Sequence, residues 1–167
     1  MNHKSTRIIL YLTLTVLFLY GLSNAKDVVT VKRIVDGDTL LLTNGEKVRL
    51  IGIDAPESRP NPRAEIQGQR EGKDLKAIIS MGKRATQFVQ NLVSPGDQVR
   101  IEFDIEKRDR YGRLLGYVYL PNGKMLNEEI VKAGYANLLT HPPNVKHQDV
   151  LVGAYREARE KKRGLWR

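Results

Sequence analysis

The chain has 167 residues, with 28 Lys and Arg against 19 Asp and Glu, a formal net charge of +9, and no cysteine. The missing thiols exclude disulfide scaffolds, zinc thiolate centres and cysteine nucleophiles, so a folded domain must be held by its apolar core. The basic balance points to polyanionic partners, nucleic acid or a membrane surface, with a plain soluble basic protein as the alternative.

Residues 1–25 read as an export signal. Lys4 and Arg7 form a positive n-region, Ile8 to Leu22 an apolar h-region, and Ser23-Asn24-Ala25 presents small residues to a signal peptidase. The rival is an uncleaved membrane anchor, but an apolar run of about fifteen residues falls short of the roughly 20 that span a bilayer. With no cysteine after the h-region, lipoprotein attachment is excluded. Cleavage predicts a secreted or periplasmic protein with no stable membrane association. The loss of Lys4 and Arg7 takes the net charge from +9 to +7, and residues 26–167 are enough for one domain with one core.

From Lys26 to Ile53 the pattern is β. Val29, Val31 and Ile34-Val35 lead into the turn Asp36-Gly37, and Thr39 to Thr43 precedes Asn44-Gly45, a hairpin signal of the type I′ kind. The return strand is read as Glu46 to Ile53. Residues 58–82, rich in Pro, Gly and Arg, read as a long mobile loop with a short helix around Asp74 to Ser80. A helix over 82–93 follows, with Ala85, Phe88, Val89 and Leu92 at helical spacing, ended by Pro95-Gly96. Val99, Ile101 and Phe103 alternate with charged residues as a half-buried strand, and Leu114 to Leu120 is the next. Met125 to Ala133 is helical with Gly134 as its cap, Tyr135 to Leu139 is a short strand, and 147–163 is an amphipathic helix before Gly164-Leu165-Trp166. Short strands with helices inserted late suggest an α+β fold, a five-stranded OB-type β-barrel with about three packed helices.

The hairpin gathers chemistry. A two-residue turn at Asn44-Gly45 sets Asp38 opposite Ile51 and Asp36 opposite Ile53, with Arg49 a diagonal neighbour of Asp38. Asp54 falls just past the return strand and Glu57 follows it, so one rim collects Asp36, Asp38, Arg49, Asp54 and Glu57, with Tyr111-Gly112-Arg113 arriving from downstream. Carboxylates that hold a hard metal ion, a further carboxylate for a proton, and guanidinium groups for a phosphate suit phosphodiester cleavage. Each residue has a plainer reading. Asp36-Gly37 is an ordinary turn, Asp54-Ala55-Pro56 a strand end, Glu57 a solvated acid, Arg49 a surface partner of Asp38, and Arg113 a solvated hairpin arginine. Their joint occurrence is the informative event. His141 and His147 flank Pro142-Pro143 with no acid or cysteine pattern to complete a metal set. The Lys161-Lys162-Arg163 run reads as a solvated helix end, Trp166 as a core plug, and Tyr117 and Tyr119 as core or as base-stacking residues.

Val35-Asp-Gly-Asp-Thr39, Arg49-Leu-Ile-Gly-Ile-Asp-Ala-Pro-Glu57, Asp109-Arg-Tyr-Gly-Arg113, Gly123 to Glu128 and Gly164-Leu-Trp166, in that order, resemble the staphylococcal nuclease (thermonuclease) family over Lys26 to Trp166. The resemblance implies a single OB-fold barrel with packed helices, acting as a monomer that hydrolyses DNA and RNA with Ca²⁺ and leaves 3′-phosphate ends. It implies Asp38 and Asp54 as side-chain metal ligands and the Ala55 carbonyl as a backbone ligand. Glu57 would activate water, Arg49 and Arg113 would clamp phosphate, and Asp36 and Tyr111 would support them. The chain departs from the best-known member at Ala55, a threonine there, and at Thr140 and Pro142, where that member has base-stacking tyrosines. The competing classes are a non-catalytic nucleic-acid-binding module and a basic adhesion protein, neither of which needs Asp38, Asp54 and Glu57 together.

Overall fold

The computed structural model describes residues 28–167. The expected signal at 1–25 lies outside them. Five strands close a barrel in the order β1-β2-β3-β6-β5: β1 Val28–Asp36, β2 Thr39–Leu42, β3 Lys47–Leu50, β5 Gln98–Glu102 and β6 Leu114–Tyr119. All pairings are antiparallel except β3 with β6. A two-stranded ribbon, β4 Gly52–Asp54 with β7 Asn137–Leu139, leaves the barrel beside it. The inward-facing alternation of Val31, Leu40, Leu42, Val48, Leu50, Ile101 and Val118 fills the interior. The helices are α1 Pro62–Glu71, α2 Leu75–Leu92, α3 Leu126–Lys132 and α4 Gln148–Glu160, with a 3₁₀ turn at Gly164–Trp166. Ala85 and Val89 of α2 and Leu126 and Ile130 of α3 pack into the same core. The expected α+β barrel is therefore present, with four helices where about three were expected. Among the described residues no helix is long and apolar enough to cross a membrane.

Three local expectations are corrected. The 58–82 segment is mostly helical. Asn61 caps α1 by accepting the Ala64 N–H at 2.8 Å, Pro62 occupies the first turn, Gly72 closes the helix in the left-handed region, and Asp74 caps α2. Prolines that look like breakers in a polar stretch begin a helix when they fall at its first position, where no N–H is needed. The Asn44-Gly45 turn is also different. Only Gly45 has positive φ, at 88°, whereas type I′ needs two such residues, and Leu42 and Glu46 close a three-residue loop. The register moves by one: Thr39 faces Arg49 and Leu40 faces Val48. Finally, the return strand breaks at Ile51, and its far end pairs with β7 rather than β1, Asp54 facing Asn137.

α4 is anchored to the barrel wall by a polar knot. His147 Nε2 lies 3.2 Å from Glu102 and 3.4 Å from the Tyr119 hydroxyl, Lys146 pairs with the same carboxylate, and the Lys146 N–H donates to Asp104 at 2.9 Å. Tyr117 packs edge-on against the His147 ring and is fully buried, so it belongs to the core and not to a stacking platform. Burial works to raise the Glu102 carboxyl, but the bonds from Lys146, Tyr119 and His147 prevail and hold it at about 2 against an ordinary 4.5. The folded state therefore binds this proton less readily than the unfolded chain. The stability Glu102 contributes is complete above about pH 4.5 and is lost as pH falls towards 2. In urea titrations from neutral pH to acid, Glu102→Gln should show a shallower loss of stability over that window than the parent. Identical slopes would mean that this carboxylate is not the group involved.

Candidate functional site

The centre of the site is a buried guanidinium. Arg49 projects from β3 with 8 % of its surface exposed, and Asp38, 2 % exposed, meets its Nη1. Its Nη2 donates to Asp54 Oδ1 at 2.8 Å and reaches the Ile53 carbonyl at 3.4 Å. Asp38 stands in the turn that precedes β2, outside the pleat alternation, so its side chain meets Arg49 despite the shifted register. Its other oxygen, Oδ2, accepts the Ala55 N–H at 2.8 Å, while Thr39 Oγ1 donates at 3.0 Å to Oδ1, the oxygen that meets Arg49. Two carboxylates from different strands thus share one arginine. Burial pulls the Arg49 pKa down, while Asp54 and Asp36 oppose the shift, and the group stays a cation. Asp36 receives the Asp38 N–H at 3.2 Å. Burial raises its carboxyl, with the charges of Arg49, Arg113 and Arg63 and a bond from Thr39 acting the other way.

Glu57 is positioned by the segment that follows it. Asn61 Nδ2 donates to Glu57 Oε2 at 2.9 Å, Arg63 Nε lies 3.4 Å from Oε1, and the Glu57 N–H donates to Gln67 at 3.3 Å. From the other side α2 presses on its backbone. A methyl group at Gly82 would collide with the carbonyls of Glu57 and Pro56, so glycine is required there by close approach.

Arg113 arrives on the β5–β6 connection, fixed by Asp109. The aspartate accepts from Arg113 Nε at 2.7 Å and from the backbone N–H groups of Tyr111 and Arg113 at 2.9 and 3.0 Å. Burial would raise Asp109, but these bonds outweigh it and hold the carboxyl low. Tyr111 is exposed, with the guanidinium groups of Arg110 and Arg113 at 4.9 and 5.6 Å from its ring. Arg49, Arg63, Arg108, Arg110, Tyr111 and Arg113 line one cleft of about 580 Å³. His141 also borders it, whereas His147 belongs to the Glu102 knot, so the two histidines form no joint site.

The structure thus brings Asp36, Asp38, Arg49, Asp54 and Ala55 together around one guanidinium, with Glu57 on the adjoining wall and Arg113 facing Arg49 across the cleft. Three groups of residues were not anticipated. Arg63 and Arg70 of α1 reach Asp54 at 4.0 and 3.8 Å. Asp109 anchors Arg113, and an acid four residues before an arginine across a glycine turn was its available signal. Buried Asn127 donates to the carbonyl of Ile51 at 2.9 Å and accepts the Val118 N–H at 3.0 Å, bracing the bend where the chain leaves the barrel.

The donors gathered here are all oxygens. Among the described residues no three His, Cys, Asp or Glu side chains converge closely enough to cage a metal ion. The guanidinium of Arg49 instead stands as the cation between Asp38 and Asp54. Two carboxylates that already share a cation, with a main-chain carbonyl available next to Asp54, fit a hard divalent ion whose other ligands are water.

Gly82→Ala tests the packing behind Glu57. At an ordinary helix position this change stabilises by up to about 1 kcal/mol. Here the collision should reverse the sign and destabilise by about 1–3 kcal/mol, read as a lower urea midpoint. A higher midpoint would show that the contact relaxes freely.

Comparison with known proteins identifies relatives of this chain. The family model described as staphylococcal nuclease homologue matches residues 47–167. A thermonuclease of Staphylococcus intermedius is 35 % identical over 139 residues, covering 81 % of this chain and 74 % of that protein. One of Staphylococcus hyicus is 34 % identical over 150 residues, covering 87 % and 80 %. Endonuclease YhcR of Bacillus subtilis (strain 168) is 32 % identical over 142 residues, which cover 81 % of this chain and 11 % of that larger protein.

Proposed function

The chain belongs to the staphylococcal nuclease family and is a nuclease, and we propose that it hydrolyses phosphodiester bonds of DNA and RNA with Ca²⁺, leaving 3′-phosphate ends. The observation that carries the reading is the pairing of buried Asp38 and half-buried Asp54 on one guanidinium, that of Arg49, which lines the same cleft as Arg113. A structural role alone would not require two acids, a buried cation and a basic cleft to converge. Asp38, Asp54 and the Ala55 carbonyl would hold the metal. When bound, the ion polarises a phosphoryl oxygen and helps to position water.

The protein's own groups do the rest. Glu57, oriented by Asn61, takes the proton of the attacking water, whose oxygen adds to phosphorus in line with the departing O5′. The P–O5′ bond breaks, the departing O5′ takes up a proton from solvent water, and the phosphate stays on the 3′ side. Charge on the non-bridging oxygens grows towards the transition state, so Arg49 and Arg113 stabilise it more than the ground state. Asp109 preorganises Arg113 for this, and Asp36 and Tyr111 support the two arginines from the back and the rim of the cleft. We further assign the protein to a secreted or periplasmic location and to a monomeric state. The apolar segment at 8–22 and the self-contained barrel support these assignments.

Cleavage of single-stranded DNA by residues 26–167 should require Ca²⁺, stop with chelator and yield 3′-phosphate ends. Glu57→Gln should lose about 10²–10⁴ in kcat/KM. Arg113→Ala should lose on the order of 10²–10³. A loss below about tenfold from either removes the assigned role. Binding without cleavage at any divalent metal would favour a non-catalytic binding module. Asp109→Ala should reduce the rate only while Arg113 is present, because the aspartate acts through that arginine.

A further inference from the structure

The helix α1 carries a face that the reaction described above does not use. Arg63, Ile66, Gln67 and Arg70 follow one another at helical spacing. Together with Asp54 and Glu57 they line a recess of about 130 Å³ next to the acids. Gln67 is buried and holds the Glu57 backbone, which fixes the orientation of the helix. The other three side chains are open to solvent: Arg63 is 57 % exposed, Arg70 62 % and Ile66 63 %. Among the described residues this aliphatic side chain, exposed between two arginines, belongs to no apolar cluster.

The arginines reach the acids only loosely, at 3.4 to 4.0 Å. Ion pairs of this length and exposure are weak and exchange readily for a better anion. A phosphate offers guanidinium groups bidentate, charge-assisted bonds that these pairs lack. Arg63 also lines the large cleft that holds Arg49 and Arg113, so a chain of phosphates can pass from that cleft across Asp54 and Glu57 to Arg70. The sugar or base attached to that phosphate would cover Ile66.

We propose that α1 forms a second nucleotide subsite in which Arg63 and Arg70 bind a phosphate flanking the scissile one and Ile66 contacts its sugar or base. The proposal rests on the nuclease reading for the direction of the strand. It makes polynucleotides, rather than dinucleotides, the preferred substrate class. Gln67 and Asn61 keep their role of positioning Glu57, and the subsite adds affinity without touching the reacting atoms.

Binding in the presence of chelator separates this subsite from catalysis. With a labelled single-stranded oligothymidylate, Arg63→Ala/Arg70→Ala should flatten the plot of log affinity against log salt by about 0.7, the loss of one phosphate contact. Affinity for dithymidine monophosphate, which has one phosphodiester, should be unchanged. Arg63→Lys/Arg70→Lys should restore the slope. Lys124→Ala/Lys161→Ala, outside both clefts, should leave it at the parent value. Ile66→Ser should weaken the oligothymidylate and spare an abasic strand. An unchanged slope in the double alanine variant, or equal weakening of both ligands, would overturn the proposal. A parent protein that binds in this pattern and yet fails to cut DNA with Ca²⁺ would instead sink the nuclease reading.

Discussion

Placing a guanidinium inside a protein is unfavourable unless carboxylates and carbonyls surround it, and in this fold they come from two other pieces of chain. Arg49 lies on β3, Asp38 in the turn before β2, and Ile53 and Asp54 on the strand that departs towards β7. Asp38 in turn accepts the Ala55 N–H, which closes the circuit. Removing one member of such a set strands the remaining charge away from water, a strong penalty in any folded protein. The hairpin register, the bend at Ile51 and the placement of Asp54 are therefore fixed together by one interaction. Scaffold and site are not separable here, because the residues that would carry the reaction also lock the barrel's rim.

Around this centre the electrostatics are arranged in two shells of opposite sign. Asp36, Asp38, Asp54 and Glu57 concentrate negative charge in a small, partly buried volume, enough for burial to raise the Asp36 carboxyl. Arg49 answers from within and Arg63, Arg70 and Arg113 from without. The inner arginine is bound tightly and hidden, while Arg63 and Arg70 are solvated on a helix and Arg113 is half-buried on a loop. A polyanion approaching the cleft meets cations first and the acids only at close range, so attraction of phosphate survives beside a cluster of carboxylates.

Much of this was readable in the residues, and the failures have physical causes. The rim could be predicted because side chains brought close by a hairpin stay close even when the register is wrong by one. Asp38 lies in a turn, so the error did not carry it to the opposite face. The turn type was misjudged because Asn44 tolerates positive φ without requiring it, and here its side chain accepts the Glu46 N–H instead. The helix α1 was missed because Pro and Gly were weighed as breakers, although Asn61-Pro62 and Gly72 are start and stop signals when they lie ten residues apart. With α1 went Arg63 and Arg70. Asn127 could not be identified at all, since its partners are backbone groups of β6 and of the bend at Ile51, far away in sequence. The stacking reading of Tyr117 failed for a similar reason, as strand alternation does not say which face a helix will cover.

The parallel pairing of β3 with β6 joins Val48 to Leu114 and Arg49 to Leu115, partners far apart along the chain. Contacts of such long range form late, because a large loop must close before they repay its entropy. Arg49 and Arg113 therefore face one another only after the barrel has shut, and a nascent or partly folded chain has the same residues with no pocket. A cell that makes a nuclease gains an interval of harmlessness from this topology. Whatever keeps the chain unfolded keeps it inert, and closure of the barrel is what arms it.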